Sequence, residues 1–532
     1  MNAEKTSDEQ EVLLESDEIQ GNILAGFNKD HQTLIALGIG DLPAARAWLT
    51  RVAPHISSLS EVAQFNGLFK ARRRRLGHDP VGLIATWVNI AFSYDGVAKL
   101  KSAAIAGQVP DDAFKDGLPK RAASLGDVPT GGATGTAGWV MGGEGRVPDI
   151  LLIVASDDSS EMALLADQLT PGTGDLGGAP VVLWKEVGDT RSDLPGHEHF
   201  GFKDGVSQPA VRGLLSKSPD VYLAVRELLP PAAGAISFAT PGSPLVWPGE
   251  FVFGYPSNND SDGTAVAPAP LPSWVRNGSL LVFRRLQQDV AGFAGFLRAS
   301  AAALASTSDF PNMTPERLGA TLVGRWPSGT PILRAEIKDD PDIAKDPQSV
   351  NDFLYANDSV APRFKEGYGT AKPLPPAKGD PNGFVCPHAA HIRKVNPRDQ
   401  DSDKGDQFDT LTRRILRRGI PFGPPLPAPP GGQLPADDGV ERGLHFLCYQ
   451  TSIVQQFELL QTDWANSTAN PKAGGHDLII GQPGTPIREV ELATSVGNSQ
   501  IVQTNRTFVM MTGGGYFFSP SISSLQNFLA VP

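Results

Sequence analysis

The feature of this 532-residue sequence that most constrains its fold is an apolar strand followed by an amphipathic helix. This order recurs along the chain, and the second half restarts the pattern of the first. Four segments show this order: residues 34–56, 85–100, 149–169 and 279–305. Each opens with a β-rich apolar stretch and continues with helical periodicity. In the second segment, Ser93 or Asp95 is the predicted helix start. Alternating strands and helices predict α+β or α/β layers, and the restart near residue 279 predicts two related domains.

Composition places the chain among globular proteins and limits its partners. Hydrophobic residues make up 40%, and 46 lysines and arginines stand against 58 acidic residues, for a formal net charge of −12. Phosphate binding needs a cationic face, so we expect no nucleic-acid partner. The one basic run, Arg72 to Arg75, is interpreted as a solvated or locally paired stretch. With only two cysteines, a disulfide framework and a four-cysteine zinc site are excluded.

The first 18 residues form an acidic leader without the basic and apolar regions of a secretory signal. We interpret this leader as flexible. Apolar runs fall short of the ~18 residues that a membrane-spanning helix needs. We therefore expect a cytoplasmic protein with no membrane partner.

Glycine and proline concentrate in stretches that predict loops. Two such stretches are residues 126–145 and 419–439. The three glycines at 513–515 are also predicted to form a turn, because no Lys-Ser or Lys-Thr pair follows them as in a phosphate-binding loop.

Four of the nine histidines lie in two tight groups: His197 with His199, and His388 with His391. A single histidine is more often structural than a ligand, but grouping favours a site. In a helix, residues 388 and 391 would share a face. A haem iron needs one axial imidazole from the protein and an open position opposite. The small residues Ala389 and Ala390 would let a flat macrocycle approach, which favours His391 as the ligand.

Asp204 lies in GFKDG, where an Asp-Gly pair is by itself typical of an ordinary turn. Above an iron-bound peroxide, however, a carboxylate could take and return a proton. Arg417 and Arg418 belong to the basic stretch RRILRRG, most of which is interpreted as a solvated or acid-paired face. One permanently charged guanidinium beside the peroxide would stabilise the charge that develops as the O–O bond breaks, and haem propionates could occupy another.

Taken together, several segments resemble the dye-decolorizing haem peroxidase family, and the resemblance extends from residue 19 to about residue 520. GFKDG matches the family's GxxDG signature. The other segments that resemble family sequence are IQGNILAGF, CPHAAHIRKVNPR, ERLGATLVGRWPSGTPI, RRILRRGIPFG, GLHFLCYQTSIVQQFELLQ and GGGYFFSPS. The length and the long loops are similar to those of the larger bacterial subgroup.

The resemblance implies roles for individual residues. It makes Asp204 the distal acid–base residue, Arg417 the distal arginine and His391 the axial ligand of the haem iron. The choice of Arg417 over Arg418 depends on the alignment of the Arg-Arg-Gly triplet. Leu444 and Phe446 match apolar residues of the distal side, and such a lining would raise the pKa of Asp204. Arg393 and Asn396 are implied contacts of the haem edge.

The resemblance also implies an α+β fold of two ferredoxin-like domains with antiparallel sheets. After the leader at residues 1–18, the expected domains are 19–215 and 216–532, and haem is held mainly by the second. One haem b per chain is the implied cofactor. Hydrogen peroxide, aromatic dyes, phenolic compounds and, in some members, Mn(II) are the implied partners. The chain could be a monomer or a homo-oligomer.

Two other functions fit the same residues. A non-haem metal oxidase could use His197, His199 and His388 or His391, since imidazole suits iron, copper and zinc. A haem carrier or iron-release protein could be built on the same scaffold, because a fold does not by itself determine activity.

Overall fold

The computed structural model describes residues 12–127, 135–170, 180–214, 242–346, 349–359, 375–427, 435–482, 484 and 487–532. The predicted boundary between the two domains, at residues 215 and 216, lies outside these residues, as does most of the predicted leader. Within the leader, Glu15 is placed, because its backbone N–H donates to the Tyr255 hydroxyl and its carboxylate accepts from Asn277 Nδ2. Among the described residues, no helix is both long and apolar enough to cross a membrane.

The helices of the described residues are mostly short. The α-helices are α1 Gly21–Leu24, α2 Leu42–Val52, α3 Leu59–Leu76, α4 Tyr94–Leu100, α5 Ala103–Ala106, α6 Asp112–Asp116, α7 Leu118–Leu125, α8 Ser159–Leu169, α9 Val290–Ala305, α10 Pro315–Val323, α11 Pro341–Lys345, α12 His391–Lys394, α13 Gln407–Thr412 and α14 Ile522–Ser524. Single 3₁₀ turns cover Ala53–His55, Pro248–Glu250 and Ile332–Arg334. Wider π-type helices cover Ile453–Glu458, Leu460–Ala465 and Leu525–Leu529.

The first half of the chain folds into a four-stranded antiparallel sheet with a ferredoxin-like βαββαβ order. Its strands are β1 His31–Gly38, β2 Thr86–Phe92, β3 Ile150–Ser156 and β4 Val181–Asp189. They lie in the order β4-β1-β3-β2. Helices α2 and α3 connect β1 to β2, and α8 connects β3 to β4.

The second half repeats this arrangement, after four short strands at Ala210–Val211 (β5), Leu245–Val246 (β6), Ser257–Asn258 (β7) and Ala265–Val266 (β8). The sheet strands are β9 Ser279–Gln288, β10 Leu416–Arg417, β11 Ile420–Phe422, β12 Gly443–Gln450 and β15 Val509–Ser519. Both β10 and β11 pair with β12, and the order continues through β9 to β15. A separate hairpin joins β13 Arg488–Ala493 to β14 Ser499–Thr504. The prediction of an α+β fold with two ferredoxin-like antiparallel sheets is confirmed.

The two sheets meet along both edges and enclose an apolar core. At one edge β15 pairs with β2 through Phe518 and Phe92, and at the other β11 lies against β4. Side chains from both sheets fill the space between them: Leu34, Ala36, Leu151, Ile153, Leu281, Phe283, Leu447 and Phe517, all without solvent exposure. The opposite faces of the sheets carry the helices and, in the second half, the candidate site described below.

Capping side chains explain why the helices follow the strands so closely. Asp41, Ser93, Asp158 and Asp289 each stand at the N-cap of a helix just after a strand and accept a hydrogen bond from its first turn. Ser93 accepts from Gly96 N at 3.1 Å, so of the two predicted helix starts Ser93 is the one used. The basic run ends the exposed helix α3, where Arg73 forms the local ion pair that was predicted, with Asp79 at 3.0 Å.

The prediction of a turn at the three consecutive glycines is wrong, because they lie inside strand β15. The strand has an irregular register between Met511 and Gly513, where it pairs with β9. A methyl group on Gly514 would lie 2.3 Å from the carbonyl oxygen of Phe283, so close strand contact requires glycine there. Glycine in this segment reflects crowding of backbones rather than a reversal of the chain.

We expect Phe283→Ala to lower the free energy of unfolding by about 3–5 kcal/mol, the usual cost of removing a buried aromatic ring. The Phe283 ring of the second sheet contacts Trp184 of the first, with centroids 5.9 Å apart. Urea denaturation measures the change. Val181→Ala on exposed β4 is the control and should cost less than about 0.5 kcal/mol. A cost below 1 kcal/mol for Phe283→Ala would contradict the assigned core.

Candidate active site

His391 begins the short helix α12, and its partner was not identified from the sequence. His391 Nδ1 lies 2.7 Å from Asp477 Oδ2, and Asp477 is fully buried. The other carboxylate oxygen of Asp477 accepts from the backbone N–H groups of Ile479 and Ile480, at 2.9 and 3.1 Å. Because an ionised carboxylate can only accept, Nδ1 carries the proton and Nε2 of the neutral ring keeps its lone pair.

His391 and Asp477 each stabilise the charged form of the other. Desolvation alone would lower the pKa of His391, but the charge and hydrogen bond of Asp477 outweigh it, and the pKa is raised. Desolvation alone would raise the pKa of Asp477, but His391 outweighs it, and the pKa is held below its ordinary value. The pair therefore presents an oriented imidazole with a carboxylate behind it, the arrangement found at metal-ligating histidines.

Asp204 lies at the end of a loop, between Gly201 and Gly205, and forms an ion pair with Arg417. Asp204 Oδ1 accepts from Arg417 Nη1 and from the backbone N–H of Gly205, the latter at 2.6 Å. Gly205 has a φ of +70°, which a non-glycine side chain would disfavour. Both hydrogen bonds fall on Oδ1, so Oδ2 is the oxygen placed to take up a proton.

Arg417, and not Arg418, faces Asp204. Arg417 ends the two-residue strand β10 and pairs with Cys448 of β12. The Arg418 guanidinium instead donates to the carbonyl oxygens of Asn22, Ile23 and Leu24 in α1, at 2.8, 3.0 and 2.8 Å. Arg418 also donates to the Arg417 carbonyl oxygen at 2.9 Å, so its guanidinium is held by backbone carbonyl oxygens and ties the first half of the chain to β10.

The expected rise in the pKa of Asp204 is wrong for this structure. Desolvation does raise the pKa, as the apolar surroundings led us to expect. The charge and hydrogen bond of Arg417 nevertheless outweigh desolvation, so the pKa is held below its ordinary value. The sequence-based argument considered the lining alone and did not include an arginine in contact with the carboxylate.

Asp204, Arg417 and His391 lie near one another, and each keeps part of its side chain accessible. Their side chains are 33%, 31% and 30% exposed. Desolvation is nevertheless the largest influence on the pKa of both Asp204 and His391. Protein therefore surrounds both side chains, although part of each remains accessible. The charges of Arg417 and Asp204 also act on the pKa of His391, which places the two pairs near each other.

Leu444 and Phe446 line the same side of the second sheet. Alternate residues of β12 point to one face, so Leu444 and Phe446 lie on the face of Cys448 and of its cross-strand partner Arg417. Both side chains are half-buried, although neighbouring positions of the strand are fully buried. This placement agrees with the predicted apolar wall.

Three further arginines, none of them identified as site residues from the sequence, form a cationic cluster in the same region. Desolvation lowers the pKa of Arg325 and Arg414 to about 9, with a further contribution from the charge of Arg398, whose own pKa is also lowered by desolvation. Arg325 and Arg398 donate to uncharged acceptors, such as the carbonyl oxygens of Gly329 and Asn351. The buried Arg414 Nε has no hydrogen-bond partner among the described residues. Buried cations of this kind favour an anionic ligand.

This set of residues fits a haem. In its neutral form, with Nδ1 protonated, His391 would offer Nε2 to the iron, and Leu444 and Phe446 would offer an apolar wall to the macrocycle. The unpaired Arg414 Nε and the arginines beside it suit the carboxylates of two propionates. These residues belong to the second half of the chain except for Asp204, and the location of haem mainly in that half stays a prediction.

The predicted haem-edge contact of Arg393 is contradicted by the structure. Arg393 is buried with its guanidinium turned into the protein, where it donates to Gln400 Oε1 at 2.9 Å and to the Asp380 carbonyl oxygen at 2.8 Å. It also packs over the Tyr355 ring, so it stabilises the segment that precedes His391. Asn396 is half-buried and accepts from its own turn, at 3.3 Å from Arg398 N, and its contact with haem stays a prediction.

The non-haem metal site considered from the histidines is not formed. His388 precedes α12 rather than sharing its face with His391, and its ring nitrogens lie 3.1 and 3.0 Å from the carbonyl oxygens of Ala473 and Pro381. His199 Nε2 lies 2.9 Å from the Phe422 carbonyl oxygen. In the described ranges, no group of three or more histidine, cysteine, aspartate or glutamate side chains is arranged to hold a metal ion.

The fold and the candidate site define an α+β protein with a His–Asp pair near an Arg–Asp pair. Residues 18–175 match the family model described as the DyP dimeric alpha+beta barrel domain. "Peroxidase 2" of Mycetinis scorodonius is 32% identical over 98% of this chain and 88% of its own length. A dye-decolorizing peroxidase of Auricularia auricula-judae is 30% identical over 96% and 86%. The solved structure of an ancestral D-type dye-decolorizing peroxidase is 32% identical, with a TM-score of 0.75 over 98% of this chain and 100% of that one.

The chain belongs to the dye-decolorizing peroxidase family and is a haem-dependent peroxidase. The expected bacterial subgroup is not supported. The curated relatives that reach 30% identity are fungal, whereas a multifunctional dye peroxidase of the bacterium Amycolatopsis is 27% identical. Length and loops were therefore a poor guide to the subgroup.

Proposed function

We propose that this protein binds one haem b per chain, reduces hydrogen peroxide at Asp204 and Arg417, and oxidises aromatic dyes and phenolic compounds by one-electron steps. The observation that carries the proposal is the proximity of two pairs, His391 with Asp477 and Arg417 with Asp204, in which His391, Arg417 and Asp204 keep accessible surface. The relatives' names supply dyes as donors, and peroxide is the oxidant of peroxidases.

On the peroxide side, Asp204 is ionised because Arg417 holds its pKa low. Its Oδ2 can therefore take the proton of the incoming peroxide and return it to the departing oxygen. Arg417 keeps its charge through the reaction and stabilises the negative charge that develops on that oxygen. When bound, the haem supplies the redox-active iron.

On the opposite side, His391 Nε2 would hold the iron. Asp477 fixes the ring orientation and the tautomer through Nδ1, and its own position is held by two backbone N–H groups. A carboxylate behind an axial imidazole increases the electron donation of that imidazole. The Arg325, Arg398 and Arg414 cluster would supply positive charge to the propionates of the haem.

Mn(II) as a further donor has no support from side-chain geometry. In the described segments, no group of three or more aspartate, glutamate, histidine or cysteine side chains is arranged to hold a metal ion. The proposal is therefore restricted to organic donors.

An absorption spectrum of protein prepared with haem, before and after one equivalent of peroxide at mildly acidic pH, tests the proposed function. We expect a Soret band that changes on addition of peroxide and returns when a dye or phenol is added. A Soret band that peroxide does not change would favour a haem carrier. Absence of a Soret band under haem-saturating conditions would overturn the proposed cofactor.

Arg417→Leu should shift the acidic limb of the rate of peroxide reduction to higher pH. Asp204 acts as a base only when ionised, so activity is lost as the pH falls through its pKa. Arg417 lowers that pKa, and without the guanidinium the desolvation of Asp204 is unopposed. Stopped-flow rates across the acidic range measure the limb. Arg417→Lys keeps the charge and is the matched control, with a smaller shift. An unmoved limb in Arg417→Leu would show that another group sets it.

A further inference from the structure

The loop that carries Asp204 has little regular secondary structure, yet its end must be held in place. Residues 196–204 fold back on themselves, with Asp204 N donating to the Gly196 carbonyl oxygen at 2.9 Å and Glu198 N donating to Phe202 O at 3.1 Å. Gly201 lies at the tip with a φ of +93°. Backbone bonds alone leave the N–H groups of Phe200 and Phe202 without carbonyl partners inside the loop.

The Glu198 carboxylate supplies those partners. Glu198 Oε2 accepts from Phe200 N, and Oε1 accepts from Phe202 N, each at 2.8 Å. Oε2 also accepts from Gln288 Nε2, at 2.5 Å, and Gln288 ends strand β9 of the second sheet. All three donors are uncharged, so the carboxylate serves the loop backbone rather than an ion pair. One side chain therefore joins the loop to a strand of the sheet that carries the candidate site.

The same loop is connected to the proximal side through apolar packing. Phe202 belongs to a buried cluster with Phe293, Phe508 and Ile479. The backbone N–H of Ile479 donates to Asp477, the carboxylate that orients His391. Phe202 therefore sets the loop against the segment that holds the axial ligand, and Glu198 sets the backbone of Phe202.

From this geometry we infer that Glu198 is the positioning residue of Asp204, holding the loop so that the Asp204 carboxylate keeps its place beside Arg417. The inference rests on the proposed role of Asp204 in peroxide reduction. Glu198 does not touch the peroxide. It acts through two backbone N–H groups and through Gln288.

The electrostatics of Glu198 agree with this role. Desolvation raises its pKa, although the hydrogen bonds from Gln288, Phe200 and Phe202 oppose the rise. A carboxyl group that costs free energy to ionise in its surroundings is retained where its two acceptor oxygens are needed. Alanine at this position would leave two loop N–H groups without acceptors.

The experiment compares Glu198→Ala with the parent protein, each with Asp and with Asn at position 204. In the parent background we expect the rate constant for peroxide to fall about 10²-fold, because displacing a reacting group by about 1 Å has that effect. The Michaelis constant for the dye and the position of the Soret band should stay unchanged. In the Asp204→Asn background the second substitution should change the rate less than twofold, because the group it positions is already disabled.

Hydrogen exchange provides a readout that does not depend on turnover. In Glu198→Ala the amides of Phe200 and Phe202 should exchange faster, while those of β9 keep their protection. Glu61→Ala is the matched control, because Glu61 also accepts from a backbone N–H, that of Ser58 at 2.7 Å, in the N-terminal capping box of α3. It should leave the peroxide rate within twofold of the parent.

If Glu198→Ala does not fold, Glu198→Gln carries the same comparison. The amide keeps the volume and one acceptor oxygen but turns its NH₂ group to the other loop donor, so we expect at least a threefold fall in the peroxide rate. A parent-like rate, or an equal loss in the Asp204→Asn background, would overturn the positioning role. If Asp204→Asn alone has the parent's rate, the proposed function of Asp204 fails instead.

Discussion

Asp204→Asn should slow the reaction with hydrogen peroxide by about 10²- to 10⁴-fold, the contribution typical of a general acid–base group. The amide has nearly the shape of the carboxylate but cannot take up a proton. Its oxygen can still accept from Arg417 and Gly205, so the fold should be preserved. Stopped-flow absorbance at mildly acidic pH measures the rate, and the Soret band reports that haem is still bound.

Asp438→Asn is the matched control for this substitution. Asp438 lies at the surface and forms an ion pair with Arg442 at 2.7 Å, so it has the type of partner of Asp204 but lies outside the site. We expect its peroxide rate to equal that of the parent within twofold. If Asp204→Asn reacted as fast as this control, Asp204 would not be the acid–base residue.

His391→Ala should lose haem or reduce peroxidase turnover by more than about 100-fold, because removing only an outer-shell partner of a metal ligand typically costs 10- to 100-fold. The substitution also leaves the fully buried Asp477 without its imidazole partner, so desolvation would raise the pKa of that carboxyl. Haem content per chain, from the Soret absorbance and a pyridine haemochrome assay, is measured beside turnover with a dye.

The His388→Ala variant tests whether haem loss comes from removing the iron ligand or from disturbing the local structure. His388 lies three residues before His391, and its ring nitrogens approach backbone carbonyl oxygens. We expect its haem content to match that of the parent. Full haem content and normal turnover in His391→Ala, or loss of haem in His388→Ala alone, would move the axial ligand away from His391.

The sequence predicted the regular elements well because their signals are local. Helix α2, strand β9 and helix α9 lie within the segments in which an apolar strand pattern precedes a helical one, and strand β1 overlaps the first of these segments. Ser93 was among the predicted helix starts because a serine N-cap acts within three residues. The glycines of β15 misled the prediction because their cause, the backbone of β9, is more than 200 residues away.

The residues of the candidate site also differ in whether a local sequence pattern marks them. Asp204, Arg417 and His391 were identified because each lies in a segment that resembles a family motif. Asp477 was not, because it is 86 residues from His391 and no local pattern marks it. Arg393 was assigned to the haem edge because it follows His391 closely, but proximity in sequence does not give the direction of a side chain, and this one turns into the protein.

By itself, the sequence determined the class of fold, the family and the residue types available for chemistry, because periodicity, capping and short motifs depend on neighbours along the chain. Only the tertiary structure decided which side chains meet. The Asp477–His391 pair, the cluster of three arginines and the low pKa of Asp204 all depend on contacts across many residues. An ion pair 213 positions apart can reverse the effect of burial on a carboxyl group, since charge and desolvation act through space and not along the chain.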